Sequence, residues 1–198
     1  MDVALMGAVE LLDRSLAYTR LALAKIGPEH AALPTPCHGW PLRRLLEHMD
    51  DGLDAYTEAA TGRVSLVPSV GDAPVESIRA KACALLSWWL DPSVEYVEIG
   101  DRRLAAETLL SAAALEITLH GWDVHETLGR RTPVPEDLAA PLFDVAIQVA
   151  TGPWRPSCFA PPVTPPPGDT ESQLLVGFLG RGRPDGTAKN GGFSRAPG

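Results

Sequence analysis

The sequence predicts an all-α chain, a single-domain and mostly antiparallel four-helix bundle with small C-terminal additions. Three observations lead there. Apolar residues recur at three- and four-residue intervals through four long segments. Clusters of Gly and Pro separate those segments. One segment, residues 103–128, is apolar around most of its circumference, as suits the buried centre of a bundle.

The first helix is expected over 3–26, where Leu5, Val9, Leu12, Leu16 and Leu23 keep the helical period until Gly27-Pro28 stops it. After the turn-rich stretch Pro34–Gly39, a second runs over 41–60, with Pro41 at a tolerant first position and Leu42, Leu45, Leu46, Met49, Leu53 and Tyr56 as its stripe. The third, 73–90, takes Asp72 as N-cap, carries Val75, Ile78, Ala82, Leu85 and Trp89 on one face, and is closed by Pro92. Residues 93–99 alternate loosely. A lone strand needs a partner and none is apparent, so extended chain is favoured over strand there. The fourth helix, 103–128, stops at Gly129; a fifth, 136–150, has acids in its first turn; a short sixth covers 170–179. Residues 1–180 are read as one domain and 181–198, rich in Gly and Pro, as a flexible tail with too little apolar surface to order itself.

Composition narrows the function. Seventeen Lys+Arg against 25 Asp+Glu give a net charge of -8 with no basic cluster, which argues against binding to nucleic acid. Charged residues interrupt every apolar run before the ~18 residues of a bilayer span, so no membrane partner is expected. Met1-Asp2-Val3 has an acid where a secretory signal is basic, and the three cysteines show no CxxC spacing. A cytoplasmic protein with reduced thiols is the expectation.

The sequence holds no GxGxxG, P-loop, GxSxG or HExxH. What remains is Glu116 and His120, four residues apart on the most apolar helix and therefore within about 40° of each other on one stripe. A carboxylate there is costly unless neutralised, and two arrangements would do so: a buried Glu–His hydrogen bond, or a shared metal ion. His48, on the apolar side of the second helix, could complete a set of two imidazoles and one carboxylate, which leaves exchangeable positions on a divalent first-row ion. Asp123 follows three residues after His120, where it could orient that ligand. His125 lies about 180° from Glu116 and is expected either exposed or facing another element. Trp40 and Trp122 flank the proposed ligands as core residues or pocket walls, and His38 sits in the turn at a pocket mouth or in solvent. Asp50, Asp51 and Asp54 read as a solvated face, with Asp51 the one able to reach round. Cys37 reads as a small buried apolar residue rather than a nucleophile.

These residues carry a family resemblance. Thr35-Pro36-Cys37-His38-Gly39-Trp40, with Leu45-Leu46-Glu47-His48, resembles the TPCxxW…LLxH segment of the DinB-like metal-binding helical bundles. Glu116-Ile117-Thr118-Leu119-His120-Gly121-Trp122-Asp123 resembles their ExxxHGWD segment, in the branch of the mycothiol-dependent maleylpyruvate isomerase N-terminal domain and related short metal-binding proteins. The likeness extends through Leu175–Arg181. It implies a bundle that holds a divalent ion, often zinc, on His48, Glu116 and His120; nickel and iron(II) suit the same donor set. It further implies a low-molecular-weight thiol cosubstrate, used for S-transfer (a transferase) or isomerisation of a small-molecule substrate. Two other expectations stand beside that one: an enzyme of a specialised biosynthetic pathway that uses the metal without a thiol, and a non-catalytic metal-stabilised binding or stress module. Pairing into a homodimer through an exposed helix face is compatible with all three.

Overall fold

Burial of the apolar stripes against one another sets the arrangement. The structure is a computed structural model and describes residues 3–64, 74–89, 94–152, 155, 159–163 and 168–181. Its helices among these residues are α1 (Val3–Ala22), α2 (Leu42–Ala59), α3 (Pro74–Trp89), α4 (Ala106–Thr127), α5 (Glu136–Val149) and α6 (Glu171–Phe178), with a 3-10 turn at Pro28–His30. The chain is mostly helical, as expected. α4 is the element most enclosed by others, with Leu110, Ala113, Ala114, Trp122 and Val124 all buried. It packs most extensively on α1, and also on α2 and α5; α3 covers α2 and touches α1. α6 closes over α5.

The α1–α4 approach is close because Gly121 faces Thr19. A Cβ at Gly121 would collide with Thr19 Oγ1 and lie 3.1 Å from the Thr19 Cα. The same hydroxyl donates to Ile117 O at 2.7 Å, so two successive turns of α4 are held against one residue of α1.

Two expected boundaries are corrected. α1 ends at Ala22 rather than at residue 26, because Lys25 takes a left-handed conformation (φ 64) and the last carbonyls turn to side chains. Arg79 donates to Leu23 O at 2.7 Å and Arg130 to Ala22 O at 2.9 Å, placing positive charge at the negative end of the helix dipole. The fourth helix begins at Ala106, not 103. Residues assigned to its first turn form a strand, β3 (Arg102–Ala105), antiparallel to β2 (Tyr96–Ile99), and β2 also pairs in parallel with the two-residue β1 (Arg63–Val64). The segment read as extended therefore finds its strand partner immediately downstream. Gly100, at φ 62 in the first central position of a two-residue loop, supplies the conformation that type II′ hairpins reserve for glycine. Burial of Val97 ties the hairpin to the helical core.

The solvated-face reading of the α2 acids is also corrected for two of them. Lys81 on α3 bridges Asp50 at 2.7 Å and Asp54 at 2.6 Å, so these carboxylates join α2 to α3. α4 stops as expected, with Gly129 at φ 66 and the Arg130 N–H returning to His125 O at 3.0 Å. α6 carries a reciprocal cap between Thr170 and Gln173. Among the described residues no helix is long and apolar enough to cross a membrane. The proposed cap Asp72, the closing Pro92, Cys158 and the tail after Arg181 lie outside the described residues.

Candidate metal centre

The second turn of α2 and the middle of α4 bring three predicted ligands together. His48 Nε2 lies 2.9 Å from Glu116 Oε1, and the His48 and His120 rings stand edge to face with centroids 5.0 Å apart. One donor atom from each of His48, Glu116 and His120 falls within 4.8 Å of the others, so the group could hold a metal ion. Two imidazole nitrogens and one carboxylate oxygen suit zinc, and suit nickel and iron(II) as well.

Glu116 is in its ligating form. Burial pushes its pKa up, but the hydrogen bond to His48, the charge of His120 and the Tyr56 hydroxyl outweigh that and hold it at about 2. Tyr56 donates to the second Glu116 oxygen, leaving one oxygen toward the imidazoles. Tyr56 belongs to the apolar stripe of α2, which marks it as core in the sequence; its hydroxyl gives no sequence signal of its partner.

His120 is oriented from behind. Its Nδ1 lies 3.0 Å from Asp123 Oδ2, and a carboxylate acceptor places the proton on Nδ1 and the lone pair on Nε2. Asp123 has no solvent exposure, and burial alone would raise its pKa; His120 and Arg181 reverse that and lower it. Arg181 meets the same carboxylate with two nitrogens, Nε to Oδ1 at 3.2 Å and Nη2 to Oδ2 at 2.8 Å. This residue corrects the sequence expectation, in which it opened a flexible tail: the Arg181 side chain is buried, and its N–H bonds Val176 O at 2.9 Å.

Cys37, His120 and Asp123 also offer donor atoms within 4.8 Å of one another. That group does not suit a cation. Arg181 already places its own charge there, donating to Cys37 Sγ at 3.0 Å, while the thiol faces Asp123 Oδ2 at 3.4 Å. Burial and the Asp123 charge, against the opposing pull of Arg181, push the Cys37 thiol up to about 12. Without a metal it is a neutral thiol at physiological pH and not a nucleophile. The expectation of a non-nucleophile agrees with this, although the side chain works as a polar link rather than an apolar filler.

The remaining candidates divide. Trp40 sets its ring edge against His48, centroids 5.1 Å apart, with the Arg44 guanidinium over it at 5.2 Å. Trp122 is buried core, His38 is exposed in its turn, and Asp51 is half-buried; none of the three belongs to either ligand group. No family model matches the chain, and no curated protein is significantly similar to it.

Beside the centre a small pocket of about 30 Å³, open to solvent, is lined from all four of α1 to α4. Leu16, Met49, Leu53, Ile78 and Ile117 make its wall apolar, and Glu116, His120 and Tyr56 belong to its lining. Arg20 and Arg79, both exposed, border it.

His125 faces another element, packing on Tyr18 with ring centroids 5.2 Å apart. It is 3% exposed, and neither ring nitrogen has a hydrogen-bond partner. Burial, then the Arg130 charge, lowers its pKa below the ordinary imidazole value. The unfolded chain therefore takes up this proton first, and stability is lost as pH falls below ~6.5. Replacing His125 with Phe removes two unpaired buried nitrogens and should stabilise the fold by about 1 kcal/mol at pH 7.5. The gain should widen at pH 5.5, measured by urea denaturation. Equal or lower stability at both pH values would show that the imidazole has a use that these contacts do not reveal.

Proposed function

We propose that this chain is a divalent-metal-dependent enzyme of the DinB-like four-helix-bundle type. It uses a low-molecular-weight, mycothiol-like thiol for S-transfer to, or isomerisation of, a small electrophile. The observation that carries the reading is the convergence of His48, Glu116 and His120 at the edge of an apolar cavity, with Asp123 directing the free nitrogen of His120. Zinc is the preferred ion. When bound, such a cation favours the thiolate form of a coordinated thiol, whose free pKa is near ~8.5.

The chain's own residues supply the rest. Asp123 holds the Nδ1 proton of His120. Tyr56 keeps one Glu116 oxygen occupied, so the carboxylate offers the other. Leu16, Met49, Leu53 and Ile117 exclude water from the cavity and receive the carbon skeleton of the substrate.

Titration of the cobalt(II)-substituted protein with a small thiol tests this directly. A sulfur-to-cobalt charge-transfer band is expected, and it should vanish in His48→Ala. A cobalt spectrum unmoved by thiol would favour metal chemistry without a thiol or a non-catalytic metal module. Failure to bind cobalt at all would return His48 and Glu116 to a plain hydrogen-bonded pair, for which their 2.9 Å contact suffices.

A further inference from the structure

Arg181 is the last described residue, and its guanidinium is held by Asp123, Cys37 and Leu179. Arg181 is 6% exposed and places a planar fork on a carboxylate that no solvent reaches. The backbone is shaped for this. Gly180 turns at φ 77, and a Cβ there would run into Ala160 O and lie 2.8 Å from its carbonyl carbon, so only glycine lets the chain bend inward at that point. Arg181 Nη1 then donates to Leu179 O at 3.3 Å and its backbone N–H to Val176 O, fixing the stem of the side chain as well as its tip.

Asp123 Oδ2 meets three groups at once: His120 Nδ1, Arg181 Nη2 and Cys37 Sγ. A carboxylate on a short side chain can still rotate about its last bond. The two-pronged contact from Arg181 removes that freedom, because Nε and Nη2 address different oxygens. With the carboxylate plane fixed, the bond to Nδ1 fixes the His120 ring.

We propose that Arg181 is a positioning residue for the metal centre, holding the Asp123 carboxylate that orients His120. This rests on the metal reading above, and the experiment separates the two. It compares wild type, Arg181→Met, Arg181→Lys and Arg155→Met. Arg155 is the control, since it ties the same C-terminal region down through Ala150 O at 2.6 Å and Phe178 O without touching Asp123.

Cobalt(II) affinity is read by chelator competition together with the visible d–d spectrum. The tautomer of His120 is read by nitrogen-15 NMR on the metal-free protein. Arg181→Met should weaken cobalt binding severalfold or more, up to the ~10- to 100-fold that losing a direct outer partner of a ligand costs. It should also alter the d–d bands and mix the His120 tautomers. Arg181→Lys keeps the charge without the fork and should recover part of the affinity. Arg155→Met should lower the melting temperature while leaving affinity within about twofold.

Unchanged affinity in Arg181→Met, or an equal loss in Arg155→Met, overturns the proposal. If Arg181→Met does not fold, Arg181→Lys carries the comparison, and wild-type affinity and bands in it overturn the proposal equally. If wild type takes no cobalt, the metal reading fails. The NMR result then decides the positioning role alone: a single Nδ1–H tautomer kept in the Arg181 variants overturns it, and a mixture upholds it.

Discussion

Asp123→Asn is expected to cost about 3–5 kcal/mol of stability in the metal-free protein, the largest loss expected from any single substitution around the centre. The reason is what stays behind. Arg181 would remain buried as a cation with no anion, and a single amide oxygen would be left to accept from Cys37, His120 and Arg181. Removing both charges together, in Asp123→Asn with Arg181→Met, should be less damaging than the sum of the two single changes by about 0.5–3 kcal/mol, because neither variant charge is then orphaned. Urea denaturation in the presence of chelator measures all four corners of the cycle. An Asn variant as stable as wild type would mean that the pair does not hold the chain end in place.

The second large effect concerns the ion itself. At pH 7.5, zinc at about a hundred times its dissociation constant should stabilise the fold by ~2.7 kcal/mol. For a chain of this size that raises the melting temperature by about 5–11 °C. His120→Ala should abolish the response. Imidazole binds metal only when neutral, so protons compete with the ion for two of the three ligands and the response should weaken as the pH is lowered. Glu116 is not the group that fails first. Its folded pKa, about 2, lies below the ordinary carboxylate value of ~4.3, so its contribution to stability is full above that value and is lost only as pH falls toward 2. A melting temperature indifferent to zinc and chelator at pH 7.5 would leave the centre without a metal.

The parts of this molecule that are legible in the sequence are those encoded by short-range periodicity. Every long helix declares itself by its stripe, and Glu116, His120 and Asp123 share a face of α4 by spacing alone. His48 needs the further assumption that α2 faces α4. What stays hidden depends on contacts far apart in the chain. Arg181 and Asp123 are separated by 58 residues, and a single Arg beside Gly180 in a Gly-rich stretch reads as tail. Lys81 pairs with acids 27 and 31 residues away, so the α2 acids look solvated. The hairpin is different, since Gly100-Asp101 between two short runs is a readable turn signal. The Ala- and Leu-rich sequence that follows extends the helix assignment over β3.

The clasp of Thr19 on Ile117 and Gly121 brackets His120 along α4. With its spine pinned on both sides of that residue, α4 can neither roll nor slide without opening the α1 contact, so Glu116 and His120 form a fixed jaw. His48 comes from α2, which meets α4 less extensively than α1 does. It is the less firmly backed jaw, so accommodating a larger or smaller ion in this group would fall to α2.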